Sequence, residues 1–143
     1  MVERVVKNEQ QLEVAVTWLK SIGFPLVIDA KKGGIRSVEQ NRLQRLWLNE
    51  AADQLQDETA EEKRGYCKLM FGIPIMCEDE RYHAAYTKLI QPWPYEHRIE
   101  LMMLPIDYPV TRGMTVRQKS RYLNLMRGHF ESQGVVLTIP DGD

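Results

Sequence analysis

Three stretches of this chain open on a hydroxyl residue with glutamate or glutamine three positions later: Ser37–Gln40, Thr59–Glu62 and Thr115–Gln118. At that spacing the hydroxyl accepts from the backbone of the first helical turn while the longer side chain reaches back to the cap, so each pair marks a helix N-terminus. The first predicts a helix from 37 to about 56. The second predicts one from about 60 to Phe71, ended by Gly72 and Pro74, and the third one to about Ser132, stopped by Gly134. Asn8 caps a further helix over about 9–21, closed by Gly23. Residues 78–90 carry acids first and Lys88 near the end, the order a helix dipole favours. Between Pro92, Pro94, Pro105 and Pro109, residues His97 to Leu104 suit either a short helix or a strand.

Three other segments read as strands: the alternating 2–6, the apolar run Phe24 to Ala30, and Val135 to Ile139. Lys31-Lys32-Gly33-Gly34 reads as a turn. The expected fold is therefore α+β, a small antiparallel or mixed sheet with four to five helices, in a single domain over 1–143. A composition of 43% hydrophobic and 27% charged residues is that of a globular chain, not a disordered one. No apolar run reaches the roughly 20 residues a membrane span needs. Met1-Val2-Glu3-Arg4 lacks the apolar stretch of a signal peptide, so the expected location is the cytoplasm. Cys67 and Cys77 sit in apolar company and read as buried free thiols.

The net charge of -1 rules out a polycation, but the charge is segregated. Lys31, Lys32, Arg36, Arg42 and Arg45 face only Glu39 within 31–45. Glu50, Asp53, Asp57, Glu58, Glu61 and Glu62 follow without a base, and Arg112, Arg117, Lys119, Arg121 and Arg127 stand without an acid in 112–129. Local basic patches of this kind suit a near-neutral nucleic-acid binder, and equally suit solvated helix faces. On a helical wheel Leu43, Trp47, Leu48, Ala51 and Leu55 share one face, and Arg42, Arg45 and Asn49 another. Gln40, Asn41 and Gln44 fall near the apolar face. There their amides either tie the helix to a neighbouring element or contact bases or a protein. In 115–132, Val116, Tyr122, Leu123, Met126 and Phe130 oppose Arg117, Arg121, Asn124 and Gly128, with Arg127 at the edge. A mid-helix Gly128 suggests either a close approach or a kink.

Arg36-Ser37-Val38-Glu39-Gln40-Asn41-Arg42, followed by Leu46-Trp47, resembles the hallmark of the phage lambda NinB (Orf) family, to which prophage proteins of the YbcN type are similar. Met114-Thr115-Val116, a helix, then Gly134-Val135-Val136-Leu137 and Pro140 fit its closing pattern. The resemblance covers about half the chain, in two blocks, and carries Arg36, Ser37, Gln40, Asn41 and Arg42 over directly. It implies a non-enzymatic, homodimeric accessory factor of phage recombination. Such a factor would bind single-stranded or partly duplex DNA and act with the host's single-strand-binding protein to load a recombinase. The nucleic-acid contacts expected here are Arg36, Gln40, Asn41, Arg42, Arg45, Arg117, Arg121 and Arg127, with no cofactor.

Two alternatives come from other chemistry. Glu50, Asp53 and Asp57, or Glu78, Asp79 and Glu80, could hold a divalent metal in a nuclease. The acidic 49–62 face or the Pro92-Trp93-Pro94 loop could meet a partner in a protein-interaction module, and Trp93 and Tyr95 could stack on bases. Cys67, Cys77, His83 and His97 match no zinc spacing, and no metal site is expected.

Overall fold

The computed structural model describes residues 4, 6–30 and 35–140, with the side chains of 35–38 excepted. Among them 67% helix and no strand are found, so the α+β expectation is overturned: there is no sheet. Two compact units are distinguished, 1–39 and 40–143.

In the first unit α1 (Glu9–Ile22) starts where the Asn8 side chain accepts from the Gln11 N–H and ends at Gly23, whose φ is 93°. The Arg4 guanidinium lies over the Trp18 ring at 4.3 Å from its centroid. Phe24 to Ala30 forms no strand; Phe24 and Val27 are exposed, so the apolar run has no sheet to enter. Of the expected strand at 2–6, residues 2, 3 and 5 lie outside the described residues, and Arg4 and Val6 belong to no regular element. The turn at 31–34 also lies outside them.

Helix α2 (Ile35–Leu55) begins two residues before Ser37, so the first capping box is not the start it resembled. The Gln40 side chain is directed to α7 instead: its Nε2 donates to Ser120, and Oε1, the atom a box would use, has no partner among the described residues. The other two boxes form in full. Thr59 and Glu62 open α3 (Ala60–Cys67), and Thr115 and Gln118 open α7 (Val116–Ser132), in each case with both reciprocal bonds present.

Helix α3 does not stop at Gly72. It passes through a π-helical turn, Lys68–Gly72, in which the Ile73 N–H reaches back to the Lys68 carbonyl. It then continues as α4 (Ile73–Met76), with Pro74 in its first turn. The wider turn relieves the clash between a proline ring and the carbonyl four residues back. Gly72 is needed for space: a β-carbon there would meet Val110 Cγ1 at 2.6 Å. Helix α5 (Glu80–Leu89) is capped by Asp79, and α6 (Tyr95–Met102) resolves the proline-bounded segment as helix.

Two clusters form the core of the second unit. One joins Trp47, Leu48 and Ala51 of α2 to Cys67, Ile75, Tyr122, Leu123, Met126 and Phe130, and is closed by Val135 and Leu137. The other gathers Leu69, Ile73, Tyr86, Ile90, Met102 and Val110. Full burial of such side chains contributes about 1.5–3 kcal/mol each. Both cysteines are free, Cys67 buried and Cys77 half-buried. Burial pushes the Cys67 thiol up to about 12.

The expected strand Val135 to Ile139 pairs with no strand among the described residues; Val135 and Leu137 are buried, while Val136, Thr138 and Ile139 are exposed. Its partner is the side of α2. Gln54 exchanges two bonds with the Val136 backbone, Glu50 accepts from the Thr138 N–H, and Trp47 Nε1 donates to the Thr138 carbonyl. As the tail advances from 136 to 138 its partners step back from 54 to 50, so it runs antiparallel to α2.

Candidate nucleic-acid interface

The amides next to the arginines of α2 act as struts. Gln40, 8% exposed, donates through Nε2 to Ser120 Oγ at 2.8 Å and to the Val116 carbonyl at 3.4 Å. Asn41 Oδ1 accepts from Lys119 Nζ at 2.8 Å. The start of α7 is thereby fixed against α2 at the residues adjoining Arg42. Of the two sequence alternatives for these amides, the geometry is that of ties to a neighbouring helix. Gln44 is buried beside them.

Sequence reasoning missed Lys119. It is 7% exposed, and burial pushes its ammonium down to about 8. The signal was present: Lys119 precedes Leu123, Met126 and Phe130 at helical spacings, and so lies on the apolar stripe of α7.

The arginines divide into two groups. Arg42, Arg45 and Arg117 are exposed and make no ion pair among the described residues. Arg121 is held by Glu78 at 2.6 Å, and Arg127 by Glu131 one turn on. The side chain of Arg36 lies outside the described residues. Gly128 has nothing within 4 Å of where its β-carbon would be, so no close approach among the described residues explains it.

Four of the six acids considered for metal chemistry have visible structural partners. Glu50 holds the Thr138 backbone, Asp57 pairs with buried Lys63 at 2.7 Å, Glu78 meets Arg121, and Asp79 caps α5.

Two further features border the core. A cavity of about 150 Å³ is lined by Glu58, Lys63, Tyr66, His129, Phe130 and Gln133, with the Tyr66 and His129 rings stacked at 5.1 Å. A surface groove of about 490 Å³ runs along Trp93, His97, Leu101, Leu104 and Ile106. Trp93, Tyr95, Leu104 and Ile106 are exposed.

Among the described residues no helix is long and apolar enough to cross a membrane. Comparison of the chain with family profiles, with curated proteins and with solved structures finds no match.

Proposed function

We propose that this protein is a non-enzymatic binder of single-stranded or partly duplex DNA, acting as an accessory factor in phage recombination in the bacterial cytoplasm. The observation that carries the reading is the double tie between Gln40 and Asn41 of α2 and Ser120 and Lys119 of α7. It holds two arginine-bearing helices at one junction, with Arg42, Arg45 and Arg117 turned to solvent. Guanidinium groups free of carboxylates are suited to phosphate, which they meet in bidentate fashion. Arg36 joins them on the strength of the resemblance to the NinB (Orf) family. That resemblance is also the ground for a homodimer and for the host's single-strand-binding protein as a partner.

Within this reading Gln40 and Asn41 position and the arginines contact. Arg121 and Arg127, each already facing a carboxylate, contribute less than Arg42 and Arg117. A fluorescence titration with labelled oligonucleotides over a salt series is the test. The expected result is saturable binding at low salt, weakening by about 0.7 log unit per log unit of salt for each phosphate contact on single strands. Arg42→Ala with Arg117→Ala lowers that slope. Absence of saturable binding at low salt removes the reading.

The groove at Trp93, Leu104 and Ile106 supports a second reading, a protein-interaction module, because exposed apolar side chains gathered along one groove mark interaction surfaces. Capture of single-strand-binding protein in the absence of DNA, lost in Trp93→Ala with Ile106→Ser, together with no saturable oligonucleotide binding, favours it over the first.

A further inference from the structure

The C-terminal segment offers a hydrogen-bonding edge of its own. In an extended chain the N–H and C=O of one residue leave on one edge and those of the next residue on the other. At Val136 and Thr138 both groups point to α2, where Gln54, Glu50 and Trp47 take all four. The backbone groups of Leu137 and Ile139 therefore leave on the opposite edge, and none of them has a partner among the described residues.

Natural proteins guard such an edge with a lysine, an inward charge or a proline. Val135-Val136-Leu137-Thr138-Ile139 carries no charge. Pro140 follows, but it falls in phase with Val136 and Thr138 and so takes no N–H from the open edge.

We propose that this edge is a self-association surface, on which residues 137–139 of a second copy of the chain add as an antiparallel strand about a two-fold axis at Thr138. The register follows from counting bonds. With Thr138 opposite Thr138, Leu137 of each copy faces Ile139 of the other, and each such pair exchanges two N–H···O bonds. All four open groups on each copy are then satisfied. A two-fold axis at Leu137 would instead place Ile139 against Val135, whose N–H already goes to the Phe130 carbonyl. An uncharged, β-branched segment is its own complement, because no like charges meet across the axis. The surface is small beside the roughly 1,200–2,000 Å² of a standard stable interface, so the association is weak and reversible. It rests on the homodimer of the proposed function only for the number of copies; the surface and register it adds do not depend on nucleic-acid binding and survive the failure of that reading.

The test is sedimentation equilibrium on the full chain from about 1 µM to about 100 µM, the range a small interface requires. A monomer–dimer equilibrium is expected, weakened at least tenfold by Ile139→Pro, which deletes one open N–H per copy. In the proposed register Thr138 sits opposite itself in a pair with α-carbons about 4.5 Å apart. Two copies of Val136 lie about 13 Å apart. Mild oxidation should therefore cross-link Thr138→Cys covalently into dimers and leave Val136→Cys and the unaltered chain without a cross-link on denaturing gels. A monomer across the whole range overturns the proposal. So does dimerisation indifferent to Ile139→Pro, and so does Val136→Cys cross-linking as readily as Thr138→Cys.

Discussion

Gln54 and Val136 exchange two hydrogen bonds, the side-chain amide donating to the Val136 carbonyl and accepting from its N–H, each at 2.8 Å. A primary amide has the same donor and acceptor as a peptide group, so one glutamine takes the place of a neighbouring strand. Gln54→Ala should cost about 1 kcal/mol, since the freed groups turn to water instead of being buried. Urea unfolding measures the loss, and amide exchange at Val136 should quicken. Gln54→Glu, which keeps the acceptor and loses the donor, should fall between.

Asp107 closes a polar network at the π-helical turn. It accepts from Lys68 at 2.7 Å and Arg64 at 2.8 Å, while Lys68 is 2% exposed and also donates to the Met102 carbonyl. Burial opposes the Asp107 charge, but the bonds from Lys68 and Arg64 outweigh it and hold the carboxyl below its usual value. Asp107→Ala strands a buried ammonium and should cost about 3–5 kcal/mol. Adding Lys68→Met should recover part of that. Because the folded carboxyl is the stronger acid, its contribution is complete above the ordinary value of 3.8 and is lost as pH falls through its lowered one. Equilibrium unfolding between neutral pH and pH 2–3 reads this, and a flat profile relative to Asp107→Asn counts against it.

Lys119 reverses the sense of that dependence. Burial lowers its ammonium from 10.5 to about 8, so between those values the unfolded chain holds the extra proton. Its contribution to stability therefore rises with pH across that window, by a total on the order of 3 kcal/mol. Buried Cys67 and Tyr122 titrate later in the folded chain and act in the opposite direction at higher pH. The measurement is consequently a difference: unfolding free energies of the unaltered chain and Lys119→Met at pH 7, 8, 9 and 10. The gap should narrow or invert as protonation costs less, and a constant gap would show that Lys119 is solvated.

Two glycines inside helical stretches should respond in opposite directions. A β-carbon on Gly72 would lie 2.6 Å from Val110 Cγ1, so Gly72→Ala overpacks the second core cluster and should cost about 1–3 kcal/mol. Gly128 has nothing within 4 Å, so Gly128→Ala should stabilise α7 by about 1 kcal/mol. Thermal unfolding of both variants checks the pair. If Gly128→Ala weakens oligonucleotide binding while raising the melting temperature, the open space at that position belongs to a ligand.

The local signals in the sequence were legible where both partners of a bond lie within one helical turn. The Thr59–Glu62 and Thr115–Gln118 boxes form as their spacing requires. Ser37–Gln40 has the same spacing, yet Gln40 is taken by Ser120, 80 positions away, which no local pattern reports. Val135 to Ile139 shows the same limit. It was expected as a strand, yet the period says nothing of what accepts the backbone, which is the side of a helix and not a second strand. Pro74 misled because it was weighed against an α-helix, while the chain widens into a π turn before it. In the candidate site, charge counting found the arginines but could not divide those facing carboxylates, Arg121 and Arg127, from those that face water.

The rod formed by α3, the π turn and α4 contributes to both hydrophobic clusters. Cys67 and Ile75 lie in the first, Leu69 and Ile73 in the second, and Met114 packs on each. Inserting a π turn rotates the faces of the helix beyond it, which lets one backbone address two interiors. Neither interior can then melt while the other stays intact, since both would lose the same stretch of chain. Residues 40–143 should unfold in one cooperative step, with tryptophan fluorescence at Trp47 and at Trp93 reporting the same midpoint although the two rings lie on different elements.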